Sequence, residues 1–253
     1  MNRFDDARPG SMQLADVIAW AWTRFIGNAT NTLLLALPAL AGRAALFGAY
    51  APVLARDSTL YGTRASTLLV SGLLVVAWFA FTVPAYSAVF HYGLALLDPA
   101  DRPPRRQESW SAVRRSLPAL YGVGAAQVLC TLLTLTVFLI PIGVYLVVRF
   151  TFGELTVVEQ RLPTSRALGE SLAATRGHWW RTAVTLLAVA LLSAVPSLVL
   201  DPIASAAHLA TGATVAIDAV LGYLTVPFAA LAVVILYDDL RARSRAPAGS
   251  ATN

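Results

Sequence analysis

Five ionisable residues fall inside long apolar stretches of the sequence: Arg43, Arg149, Glu154, Glu159 and Asp218. A charge at the centre of a bilayer costs at least about 2.5–3.5 kcal/mol on insertion scales, so such residues usually face the interior of a helix bundle and find partners there. They are therefore the first candidates for a functional site. They could form an ion cluster, a transport pathway or a buried ion pair that only holds helices together.

Three of these residues share a depth if their apolar stretches cross a membrane directly. With a helical rise of about 1.5 Å per residue, Arg43, Arg149 and Asp218 each lie roughly 10 Å below the outer surface. The hypothesis is that they form one Arg–Asp–Arg cluster. Such a buried cluster more often holds helices together than serves as a transport site. In the alternative, each arginine reaches outward by itself or meets a backbone carbonyl.

Glu159 ends the fourth apolar stretch, next to a polar segment that carries several arginines. This placement predicts an interfacial clasp in which Glu159 pairs with Arg166 or Arg176. The alternative for the same carboxylate is a lipid-headgroup or proton site.

No other pattern in the sequence favours catalysis. His91, His178 and His208 are scattered over different segments, and no Cys/His cluster or zinc-protease spacing occurs. The pair Asp238-Asp239 is a very weak match to the paired carboxylates of lipid phosphotransferases. We therefore expect no catalytic residue, no metal and no cofactor.

The composition indicates which elements position these residues. Hydrophobic residues make up 57% of the chain and charged residues only 13%, whereas soluble domains carry about 25% charge. Several apolar runs exceed the roughly 20 residues needed to cross a bilayer. We predict an all-α membrane bundle of six spans in three hairpins. The spans are Thr30–Val53, Ser66 to the leucines after residue 90, Leu117–Ile140, Ile142–Val158, Trp179–Leu200 and Thr211–Tyr237.

The arginines predict the orientation of this bundle. All 19 basic residues are arginine. Fifteen of them fall in the N-terminal segment, the second and fourth connections and the C-terminal tail, and only Arg56 and Arg64 fall on the opposite side. Because cytoplasmic loops carry the excess of positive charge, we expect both termini in the cytoplasm and the protein in a bacterial inner membrane.

Each hairpin is preceded by a predicted amphipathic helix on the cytoplasmic surface. The first covers residues 11–28 and stops at Gly27-Asn28, the second covers 108–120, and the third follows Pro163. In the third, Leu168, Leu172, Thr175 and Trp179 recur at helical spacing and form one apolar face, so the helix is expected to lie in the headgroup plane. The predicted domains are 1–28 as a cytoplasmic segment, 29–240 as the membrane domain and 241–253 as a disordered tail.

Two stretches resemble motifs of a known family. "VVEQRLPTSRALGESLAATRGHWWR" (157–181) resembles the glutamate-then-"AL..S....RG..WR" signature of the bacterial glycerophosphoryl diester phosphodiesterase membrane-domain family. "AVVILYDDLRAR" (232–243) is similar to the closing "YxDLRxR" motif of that family. This chain departs from the family pattern in lacking a proline before Glu159 within the fourth span.

The resemblance implies a six-span membrane region and does not imply the activity in the family name. That name comes from members in which the region is fused to a soluble barrel phosphodiesterase. Such a barrel needs about 200 residues or more, for which these 253 residues leave no room. The resemblance implies a membrane protein without an established activity.

The function expected first is therefore that of a non-catalytic membrane protein that binds lipid or an unknown protein partner. Its arginine-rich face should attract anionic lipid headgroups. The alternatives are a small transporter and, third, a membrane-embedded lipid-modifying enzyme. Nucleic acid is not expected as a partner, because membrane topology explains the arginines.

Overall fold

The computed structural model describes residues 12–55, 64–97, 103–134, 139–207 and 211–245, which lie almost entirely in helices and include no β-strand. The helices are α1 Leu14–Gly27, α2 Ala29–Ala55, α3 Arg64–Leu97, α4 Arg106–Thr134, α5 Ile140–Phe150, α6 Gly153–Gln160, α7 Thr164–Ala174, α8 Trp179–Ala206 and α9 Thr211–Arg245. The predicted fold class, an all-α helical bundle, is confirmed.

Five stretches of the described chain are long and apolar enough to cross a membrane. They are Leu73–Leu97, Arg106–Thr134, Ile140–Gln160, Trp179–Leu200 and Ala216–Ser244. A sixth is present if α1 and the first part of α2 count as one span, bent by 95° between them. The bend falls at Asn28, which caps the end of α1, at the predicted stop.

The second predicted surface helix is not a separate element. It is the beginning of α4, which continues past Pro118 into the third span. Val113, Ser116 and Leu120 are buried along this part of α4, which packs against α3. Packing on a neighbouring helix, rather than contact with headgroups, therefore buries the apolar face that the sequence pattern shows.

The fourth span is broken, and α7 packs across the break. α5 ends at Phe150 and α6 begins at Gly153. The hydroxyl of Ser171 in α7 donates to the carbonyl of Arg149 (2.7 Å) and accepts from the backbone N–H of Phe152 (3.2 Å). The Thr156 hydroxyl also lies 3.2 Å from the carbonyl oxygen of Ala167. Thus α7 folds back along α6 and supplies the polar partners that the interrupted backbone needs.

The core is concentrated where α9 meets α2 and α3. Most buried side chains lie in the second half of α3, the first half of α4, α6 and the last twenty residues of α9. The helix α9 continues to Arg245, so the first residues of the predicted disordered tail are helical. Residues 1–11 and 246–253 and the arginine Arg56 lie outside the described residues.

Candidate functional site

Arg149 does not join the predicted cluster with Arg43 and Asp218. Its guanidinium donates to the carbonyl of Leu172 (2.8 Å) and to the hydroxyls of Thr175 (3.0 Å) and Tyr145 (3.0 Å). The depth estimate assumed a straight fourth span, whereas α7 folds back along α6 and brings its C-terminal end to Arg149. The negative end of the α7 dipole is a favourable site for a cation.

Arg43 and Asp218 lie near each other along α9 without forming an ion pair in the described part of the chain. The guanidinium of Arg43 packs against Gly222, where an added Cβ atom would overlap it. Asp218, one turn earlier in α9, accepts a hydrogen bond of 2.6 Å from the hydroxyl of Ser197 in α8. Each charged group thus has its own neighbour.

Glu159 has an arginine partner, but it is Arg241 of α9 rather than Arg166 or Arg176. Its carboxylate binds Arg241 and accepts a hydrogen bond of 3.0 Å from the hydroxyl of Tyr237. Arg166 on α7 and Arg176 just after it are both exposed, because the buried face of that helix is turned toward α6. The predicted clasp therefore holds α6 to α9 instead of α6 to α7.

A second polar cluster joins three segments around Asp239, whose side chain is fully buried. One carboxylate oxygen lies 2.9 Å from both Arg181 of α8 and Arg243 of α9. The other oxygen accepts the backbone N–H of Met12 at 3.3 Å, and the carbonyl of Met12 accepts from both arginines. The cluster therefore ties the segment before α1 to the start of α8 and the end of α9.

The two sequence motifs described above lie against each other in the structure. Glu159 and Arg181 belong to the first motif, and their partners Arg241 and Asp239 belong to the second. Ser171, also in the first motif, stabilises the break in the fourth span. Five polar residues of the two motifs therefore hold helices together or stabilise the break: Glu159, Ser171, Arg181, Asp239 and Arg241.

A cavity of about 320 Å³ lies between α3, α4 and the broken fourth span. We call it the side groove; Trp78, Phe79, Tyr86, Gln127, Val128 and Glu154 are among its lining residues. Its walls are mainly apolar and aromatic. It is open at its rim, where Thr131 is exposed, so a ligand can enter from the side of the bundle.

Two polar groups of the side groove lack a full set of interactions: Glu154 has no ion-pair partner among the described residues, and Thr82 has no hydrogen bond. Glu154 is only 7% exposed and makes no ion pair among the described residues. The Ser87 hydroxyl lies beside its carboxylate, but it also donates to the carbonyl of Val83 at 2.8 Å. The buried hydroxyl of Thr82 has no hydrogen-bond partner in the described structure.

Sequence reasoning singled out Glu154 as buried and missed the groove around it. The glycines that let the walls approach were the available signal: an added Cβ atom at Gly124 would lie 2.8 Å from the ring of Phe79. The role of Arg241 was missed because its partner Glu159 is 82 residues away. No local pattern encodes a pairing at that separation.

Comparison of the chain with models of known protein families, with curated proteins and with solved structures gives no match.

Proposed function

We propose that this protein is a non-catalytic integral membrane protein that binds a membrane lipid in the side groove. The observation that carries the proposal is a cavity of about 320 Å³ whose walls belong to candidate membrane spans. Its size lies at the lower end of the range typical of small-molecule sites, which are apolar with a few placed polar groups.

Hydrocarbon is the occupant that a bilayer supplies to such a groove. The helices that line the groove also carry exposed apolar side chains, among them Val76 and Phe81 of α3 and Leu132 of α4, which are 62%, 44% and 53% exposed. Exposed apolar side chains on a membrane span are in contact with lipid tails, so an acyl chain can enter the groove without crossing water. Aromatic walls then contact the chain along its length.

The exposed arginines support a second contact with lipid, at the cytoplasmic surface. Arg106, Arg114, Arg115, Arg166 and Arg176 are all exposed. Each basic residue near an anionic leaflet contributes about 1 kcal/mol of attraction. This contact is electrostatic and should select headgroup charge rather than a particular lipid.

The proposed topology is six spans with both termini in the cytoplasm of a bacterial inner membrane. Met12 is hydrogen-bonded to Arg243 and Asp239 near the other end of the chain, which supports placing both ends on the same side of the membrane. An even number of crossings follows, which favours counting the bent α1–α2 pair as the sixth. Cysteines introduced near either terminus should not react with a membrane-impermeant reagent added outside the cell.

We propose that the chain is related to the glycerophosphoryl diester phosphodiesterase membrane-domain family. The basis for this relation is the two sequence motifs. The contacts between the motifs support it, because residues that bind each other are expected to be retained together. Membership would carry no activity to this chain.

The direct test is native mass spectrometry of the purified protein, with a groove-filling variant and a matched control. Val128 lines the side groove, whereas its neighbour Leu129 is 60% exposed. Val128→Trp should abolish most of the retained lipid, and Leu129→Trp should leave it unchanged. Equal lipid in both variants would reject the groove as the site, and a retained water-soluble solute in place of lipid would favour transport.

A further inference from the structure

The side groove contains a buried carboxylate for which the described protein supplies no cation. A buried ionised group is stable only when it is paired or well hydrogen-bonded. The nearby Ser87 hydroxyl has one proton, and the carbonyl of Val83 accepts it at 2.8 Å. Glu154 therefore shares the hydroxyl beside it with the carbonyl of Val83.

Burial without a cation disfavours the ionised form of Glu154, and one feature of the fold favours it. Glu154 lies in the first turn of α6, where the partial positive charge of the helix N-terminus favours a carboxylate. The guanidinium of Arg43 packs against Gly222 of α9 and forms no ion pair with Glu154. Glu154 lines the groove, where a bound cation would be the partner that lets it ionise.

The walls around this charge suit an organic cation. Trp78, Phe79, Tyr86 and Phe90 line the same cavity, and aromatic faces attract ammonium groups. The carbonyl oxygen of the Gln127 side chain and the unpartnered Thr82 hydroxyl can each accept an N–H. A metal ion would need several oxygen ligands together, which one carboxylate between apolar walls does not provide.

We infer that the side groove selects a lipid whose headgroup carries an ammonium group, with that group on Glu154 and an acyl chain along the aromatic walls. This inference rests on the proposed function and adds the headgroup chemistry to it. Glu154 is six residues before the end of the fourth span at Gln160, a depth of about 9 Å along a helix. A headgroup can descend this far from the cytoplasmic surface while its chain follows the groove outward.

The test compares two lipids that differ by acetylation of the headgroup amine, which removes its positive charge and adds a small acyl group. The purified, delipidated protein is titrated with phosphatidylethanolamine and with its N-acetylated derivative, carrying identical acyl chains, and binding is followed by native mass spectrometry. The wild type should prefer the free amine by about tenfold or more, as expected for a hydrogen bond to a charged group. Glu154→Gln should bind both lipids equally, and Leu129→Trp should keep the preference.

The outcomes separate the two proposals. Equal binding of both lipids to the wild type would overturn the inference about the amine and leave the groove in place, provided that Val128→Trp abolishes binding. If Val128→Trp binds either lipid normally, the groove itself is rejected. A third probe, dodecylamine, identifies the source of the cation: its binding in the absence of phosphatidylethanolamine binding would overturn the assignment to a lipid. The comparison of lipids on the wild type needs no variant, so it remains decisive if Glu154→Gln fails to fold.

Discussion

The last two helices have the same mean hydropathy, 2.4, over their most apolar parts, but different surroundings. In α9, 61% of that part is buried inside the protein, and in α8 only 11%. Leu187, Leu191 and Leu198 of α8 are all more than half exposed, whereas Ala230, Leu236 and Leu240 of α9 are completely buried. Hydropathy alone therefore identifies a span without indicating whether lipid or protein surrounds it.

What distinguishes α9 is the presence of small and polar residues at its contacts. Gly222 accommodates the guanidinium of Arg43, and Gly93 of α3 accommodates Leu231, whose side chain would lie 2.9 Å from an added Cβ atom. Small residues let helices approach closely where lipid tails are as apolar as the side chains. Asp239 then fixes the end of α9 to α8 by an ion pair. We expect substitutions in α9 to be costly and equivalent ones on the outer face of α8 to be tolerated.

The largest effect is expected for Asp239→Ala. This change removes the shared partner of Arg181 and Arg243 and leaves the Met12 N–H without its acceptor. Loss of one member of a buried ion pair typically costs about 3–5 kcal/mol, and the lower end applies because both arginines are partly exposed. Thermal unfolding in detergent measures the loss, with Glu170→Ala, on the exposed face of α7, as a control within about 0.5 kcal/mol of the wild type. A similar small change for Asp239→Ala would mean that the cluster does not hold the two helices.

An intermediate effect is expected from enlarging a small residue in α9. Ala230 is fully buried, so Ala230→Leu should destabilise the protein by about 1–3 kcal/mol through overpacking. The same change at Ala190, exposed on α8, should leave the unfolding temperature nearly unchanged. Equal shifts for the two variants would contradict the difference in burial between the helices.

The smallest effect is expected for the ion pair between α6 and α9. The side chains of Arg241 and Glu159 are 33% and 27% exposed, and partly exposed pairs contribute at most about 1 kcal/mol. A double-mutant cycle of Glu159→Gln and Arg241→Gln should give a coupling energy of that size. A coupling above about 3 kcal/mol would show that this pair, and not Asp239, anchors α9.

The sequence was sufficient for features that depend on local periodicity and length. The apolar runs predicted the spans, and Gly27-Asn28 predicted the end of α1. The positions of Arg149 and Glu159 were not predictable in the same way, because all of their partners except Tyr145 come from segments more than twenty residues away. A depth count also assumes straight helices, and the break between Phe150 and Gly153 invalidates it. Glu154 was recognisable as buried, but its groove depends on how α3 and α4 meet.

The position of Ser171 has a consequence for how the chain is made. Its hydroxyl satisfies the backbone at the break between α5 and α6, yet it is synthesised about twenty residues after that break. Chains emerge from the N-terminus at about 5–20 residues per second, so the fourth crossing is unfinished for a second or more after it leaves the ribosome. During that interval the exposed backbone groups at Arg149 and Phe152 must be held by water or by the insertion machinery, and the crossing becomes stable only when α7 arrives.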